Sequence, residues 1–243
     1  MALIRSLRAE LLKGRRAPVW LAFVVLPLIP AFLGTANYLA NQAVLDDDWY
    51  SLWTQHTLFA AFFFLPALIS VYCAWEWWLE ASDHNFNSFM TAPVPCWALY
   101  LGKLIPAICV SVLTQGLIGV YFIIGGKLAG ISDALPPALF EWLACGALGS
   151  TAICAVQLFL SLLMRSFVIP VVLGLFGGIA GLLLTTQGLG IYWPYTLMAL
   201  GMRANNPKLV VDTGQLALMT AVYTVIFAAL TLRLLTHRDV QSE

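Results

Sequence analysis

Apolar residues fall in six long runs, at about 18–40, 55–79, 104–126, 137–163, 167–187 and 215–235. Polar residues concentrate in the segments between them. A helix needs roughly 20 apolar residues to cross the hydrocarbon core of a bilayer, so each run predicts a transmembrane helix. Alternation of period two is weak, which argues against a membrane β-barrel. The pattern predicts an all-α polytopic membrane protein, one transmembrane domain over residues 1–243.

Three segments depart from this plan. Residues 1–17 predict an amphipathic interfacial helix. Leu3, Ile4, Leu7, Leu11 and Leu12 share its apolar face, and Arg5, Arg8, Lys13, Arg15 and Arg16 flank or follow it. Such a helix lies in the interface plane and attracts anionic lipid. A plain basic flank is the alternative. Residues 188–214 hold IYWPYTLMALGM, about half a span long and interrupted by Pro194. They predict a short re-entrant or surface helical segment before the last span, because non-helical backbone at membrane depth must be buried in protein or line a watery cavity. Residues 80–103 break the chain between spans two and three. There Phe86, Phe89 and Met90, at i, i+3 and i+4, make one apolar face of a short helix ended by Pro93 and Pro95.

Charge sets the orientation. Of the 12 Lys and Arg, nine (Arg5, Arg8, Lys13, Arg15, Arg16, Lys103, Arg165, Arg233 and Arg238) fall on one side. Only Lys127, Arg203 and Lys208 fall on the other. The positive-inside rule therefore places both termini in the cytoplasm. Trp49, Tyr50, Trp53, Tyr192, Trp193 and Tyr195 near the outer ends, and Trp75, Trp77 and Trp78 at the inner end of span two, fit headgroup-level belts. The basic N-terminus has no short apolar core followed by a small-x-small site, so the first run is expected to stay as an anchor.

Composition agrees: 61% of residues are hydrophobic and 10% charged, against about 25% charged in soluble domains. Net charge is zero, which gives no argument for nucleic acid. The five cysteines, Cys73, Cys96, Cys109, Cys145 and Cys154, are odd in number and none falls in an outer loop, so they read as free thiols.

Motifs for chemistry are scarce. HExxH, GxSxG, CxxC and GxxxxGK[ST] are all missing from the sequence, so the chain lacks that means of cradling nucleotide phosphate. Glu76, Glu80 and His84 recur every four residues and would share a helix face. They could form a metal or hydrolase centre or a proton relay. The plainer reading is an acidic stripe at the inner headgroup level, pairing with Arg5, Arg8, Arg15 and Arg16. His56 and His237 read as solvated, and Asp46, Asp47 and Asp48 as a solvated acidic loop. Gln115, Gln157 and Glu141, within or beside spans, are candidate pathway residues or packing hydrogen bonds. Gly174 with Gly178, and Gly177 with Gly181, permit close helix approach, within the chain or between subunits.

The stretch around the break carries a family resemblance. Glu80, Asn85, Asn87, Phe89, Pro93, Val94, Pro95, Tyr100 and Lys103, with Trp193, Pro194 and Tyr195 before the last span, resemble the permease subunits of type-2 ATP-binding-cassette exporters, especially the lantibiotic-immunity branch. A basic residue often follows the Pro-Val-Pro turn in that branch, and here Cys96 stands there. The resemblance implies a bacterial plasma-membrane transport subunit that is not itself an enzyme. It implies two copies of a separate ATPase, which carries ATP and Mg, and a second permease, identical or homologous. His84, Asn85, Phe86, Asn87, Phe89, Met90, Pro93 and Pro95 would then be the ATPase-coupling segment. The branch also implies an amphipathic antimicrobial peptide as cargo, with drugs, lipids or polysaccharide as alternatives. A membrane-embedded hydrolase and a non-transporting sensor subunit remain competing readings.

Overall fold

The computed structural model describes residues 2–15, 17, 19–45, 48–81, 94–164 and 166–237. Among them the regular structure is helical, with six helices or helix pairs long and apolar enough to span a membrane. The elements are α1 (Ala2–Gly14), α2 (Val19–Val25), α3 (Leu28–Ala40), α4 (Trp49–Phe59), α5 (Leu65–Ala81), α6 (Cys96–Leu128), α7 (Leu139–Met164), α8 (Val168–Thr186), α9 (Leu197–Gly201) and α10 (Thr213–His237). Span one is α2 plus α3, broken around Pro27, which cannot donate a backbone hydrogen bond.

Span two is α4, a π-helical turn over Ala60–Phe64, and α5. Pro66 explains the turn. It has no N–H for the carbonyl of Phe62 four residues back, so the ladder reopens as a wider turn. The freed Phe62 carbonyl then faces Gly178, where an added Cβ would collide with it. This span is the most enclosed of the six, and α5 packs against α6, α7 and α8.

Inside a bilayer, helices do not associate by expelling water, so close packing of small residues does much of the holding. Gly174 and Gly178 of α8 meet Ser70 and Phe62 of span two, while Gly177 and Gly181 meet Tyr195, Thr196 and Trp193. Both glycine pairs therefore make intrachain contacts. On α7, Gly146 and Gly149 receive α9, with Gly149 against the backbone of Leu197 and Gly201 of α9 against the Cys145 carbonyl. Large apolar side chains such as Phe32, Phe140, Phe176, Leu183 and Val225 point outward.

The segment before the last span folds back into the bundle. A 3-10 turn at Gly190–Tyr192 leads to α9, whose residues are all buried. Helix α9 ends in a Schellman motif: Ala204 N–H donates to Ala199 C=O at 2.9 Å and Arg203 N–H to Leu200 C=O at 3.0 Å. Such an ending needs a left-handed residue, usually glycine, and here Arg203 fills it with φ 53°.

Several side chains lie elsewhere than the hydropathy pattern suggests. Trp49 and Trp53 are not belt residues facing lipid. Both are buried, donating their indole N–H to the carbonyls of Asp133 and Met202 at 2.9 Å. His56 is also buried rather than solvated. Its Nε2 lies 2.9 Å from Thr35 Oγ1, and Gly34 and Gly125 clear the space it occupies. Thr35 Oγ1 also lies 2.9 Å from the Ala31 carbonyl, so this hydroxyl bridges the ring and the α3 backbone. Asp48 caps α4 through Ser51 N–H at 2.6 Å, while Asp46 and Asp47 lie outside the described residues.

Candidate functional site

The helical phase of α1 decides what it touches. Ser6, Glu10 and Gly14, at i, i+4 and i+8, are its buried residues. Leu3 and Leu7 are half-buried, and Ile4, Leu11 and Leu12 point outward. The helix thus turns a small and polar stripe to the bundle. Ser6 packs on Gly102 of α6, where a Cβ would strike the Ser6 hydroxyl.

This docking brings four charges into a closed ring. Lys103 Nζ donates to Glu10 Oε1 at 3.0 Å, to Glu80 Oε1 at 3.0 Å and to the Glu76 carbonyl at 3.1 Å. An ammonium has three protons, so its donors are fully used. Lys13 closes the ring, 3.1 Å from Glu10 Oε1 and in direct contact with Glu80 Oε1. Lys103 is fully enclosed, whereas Lys13 is a third exposed. The Lys103 ammonium also sits 4.9 Å above the Trp77 ring, a favourable cation–π arrangement.

The ring ties together three points far apart in sequence. Glu80 lies in the last turn of α5, and Lys103 lies two turns into α6. These helices stand on either side of residues 82–95, and Glu10 and Lys13 join both to the N-terminal helix. Two acids and two bases balance, so the ring is neutral in its ordinary ionisation. Glu76, one turn before Glu80, is buried with neither carboxyl oxygen hydrogen-bonded among the described residues.

Of the acidic stripe, Glu80 pairs with Lys13 and Lys103, and among the described residues neither it nor Glu76 pairs with an arginine of α1. Arg5, Arg8 and Arg15 are exposed on the other side of that helix, and Arg16 lies outside the described residues. Of the Glu76–Glu80–His84 centre, the structure describes the two carboxylates. Glu80 is held by two ammonium groups, Glu76 is sealed from solvent, and His84 is outside the described residues. Asn85, Phe86, Asn87, Phe89, Met90 and Pro93 also lie outside them. Pro95 is described, extended at φ −66° and ψ 140°, as the residue that starts α6. Lys103, one of the nine basic residues that the charge count places on the cytoplasmic side, is the centre of the ring. The involvement of Glu10 and Lys13 had no sequence signal beyond their three-residue spacing.

The polar residues proposed for a pathway do not share one site. Gln115 is buried beside Ser111 and Gly146. Gln157 lies 2.7 Å from the Tyr195 hydroxyl and, with its amide oriented to satisfy both ends, donates to the Pro170 carbonyl at 3.2 Å. Burial pushes the Tyr195 phenol well above its ordinary range. Glu141 is largely exposed and 3.8 Å from Arg203.

A family model described as ABC-2 family transporter protein matches residues 6–181, well over half of the 243-residue chain. The chain belongs to that family. It is a multi-pass membrane protein, the membrane subunit of an ABC exporter, and it works with an ABC ATPase. The matched stretch begins at Ser6, on the buried face of α1, and includes every residue of the four-charge ring. No curated protein and no solved structure matched the chain.

Proposed function

We propose that residues 84–95 are the segment by which this ABC-2 permease engages its ATPase, and that the charge ring fastens that segment to the membrane helices. The observation that carries this reading is the ring itself. Glu80 stands in the last turn before this segment and Lys103 two turns after it, and both are bonded to the same N-terminal helix. A segment so anchored passes a push from the ATPase into α5, α6 and α1 together.

In this reading both termini are cytoplasmic, as the distribution of Lys and Arg favours. Two permease subunits, identical or homologous, sit on two ATPase copies that bind ATP and Mg, in a bacterial plasma membrane. The cargo is an amphipathic antimicrobial peptide of the lantibiotic kind, removed from the membrane to give immunity. The resemblance of the 80–103 segment and of Trp193, Pro194 and Tyr195 to the immunity branch supports that cargo.

Replacing Phe86, Phe89 and Met90 together by Ser should abolish co-purification of the ATPase while the permease still inserts. Retention at wild-type yield would remove the coupling assignment. For the cargo, cells expressing the intact complex should survive a lantibiotic concentration that kills cells carrying the triple variant. Equal survival, with the complex intact in the first strain, would point to another cargo.

A further inference from the structure

We propose that the outer face of α1, with the start of span one, forms a discrete site for an anionic phospholipid. A groove of about 500 Å³ runs there, lined by Arg8, Leu11, Leu12, Arg15 and Trp20. Its two ends are cationic and its floor is apolar. At 3.6 residues per turn, these α1 residues centre about 150° around the helix from Ser6, Glu10 and Gly14. The face that reads the ring and the face that lines the groove are therefore nearly opposite.

Charge complementarity names the occupant. Glu10, Glu76 and Glu80 all lie on the bundle side of α1, and Glu10 and Glu80 are already matched by Lys13 and Lys103. No carboxylate among the described residues pairs with Arg8 or Arg15, so two guanidinium groups face outward uncompensated. A guanidinium presents planar paired donors suited to a phosphate oxygen pair. Leu11 and Leu12, both largely exposed, offer an acyl chain an apolar bed between them. Trp20 fixes the far wall, because its indole N–H donates to the Gly14 carbonyl at 2.6 Å and ties span one to the end of α1. A phosphodiester with a neutral or anionic headgroup and an acyl chain satisfies both features; a zwitterionic lipid brings its own cation against the arginines.

This inference rests on the chain's place in a membrane and not on the coupling or cargo assignments. The test is native mass spectrometry of the full chain in mild detergent. Phosphatidylglycerol and phosphatidylcholine with the same acyl chains are added in equal amounts. The intact chain should retain phosphatidylglycerol preferentially. At about 1 kcal/mol per basic residue near an anionic surface, R8Q/R15Q should lose that preference by about 30-fold. R5Q removes one charge from the same helix outside the groove lining and should lower the preference by less than about fivefold, the share of one basic residue. L11S/L12S should weaken retention of both lipids. Equal retention of both lipids by the intact chain would overturn the site. So would an R8Q/R15Q variant that keeps the preference, or an R5Q loss as large as the double variant's.

Discussion

Replacing Lys103 by Met should release the N-terminal helix from the bundle. Each 3.0 Å contact from Lys103 to Glu10 and Glu80 is worth about 5–6 kcal/mol in gross Coulomb terms at an effective dielectric of ~20. Desolvation of three enclosed groups offsets most of this, and removing one partner of a buried pair typically costs about 3–5 kcal/mol. Two carboxylates would then share Lys13, which is a third exposed. The assay reads α1 undocking directly. In a cysteine-free background, Ser6→Cys is shielded against Gly102, and its reaction with a water-soluble maleimide reports the open fraction. At about 1.4 kcal/mol per decade, K103M should raise the labelling rate roughly 10²- to 4 × 10³-fold. K13M, which removes the more exposed cation, should raise it about fivefold or less. In an E10Q/K103M cycle the two effects should fail to add by about 1–3 kcal/mol. Labelling that K103M leaves unchanged, or that K103M and K13M raise equally, would refute the ring as the fastening of α1.

Two further predictions concern backbone fit. G178A should destabilise by about 1–3 kcal/mol, because its Cβ meets the Phe62 carbonyl, while G116A, whose Cβ meets nothing within 4 Å, should be neutral or slightly stabilising; thermal unfolding in one detergent compares them, and equal effects would refute the span-two contact. R203G should be more stable than R203A by about 1 kcal/mol, since φ 53° penalises any Cβ; the ordinary order, with Ala above Gly, would show that the α9 ending is built otherwise.

The spans were legible because bilayer thickness sets a length that sequence shows directly. The runs at about 55–79 and 104–126 correspond to helices that extend further, to Trp49–Glu80 and Cys96–Leu128. Their extra turns carry polar residues, Glu80 at one end and Lys103 at the other, which a hydropathy window trims away. The start of the second of these helices was legible from Pro95, which stands just before Cys96. The ring was not, because Glu10 and Lys103 are 93 positions apart and no local spacing links them. Trp53 and His56 were misplaced for a related reason. Aromatic and imidazole groups near a span end usually meet headgroups, and only tertiary packing against Met202 and Thr35 reveals that these two point inward.

Helix α1 shows the general cause. Its leucines suggest a helix that docks by its apolar face, as in a water-soluble protein. Beside a bilayer that logic weakens, because Ile4, Leu11 and Leu12 lose nothing by facing lipid. Glu10 has no such freedom. An ionised carboxylate enclosed against the bundle is tolerable only against cations, and the bundle supplies Lys103 where Gly102 lets the helix approach. Polar complementarity therefore sets the rotation of α1. Once rotated, the helix is bonded to both helices that adjoin residues 82–95 and leaves Arg8 and Arg15 facing outward. For a membrane helix that carries both leucines and charges, the charges are the better guide to the side that docks. The small residues one helical turn away, Ser6 and Gly14 here, mark where it fits.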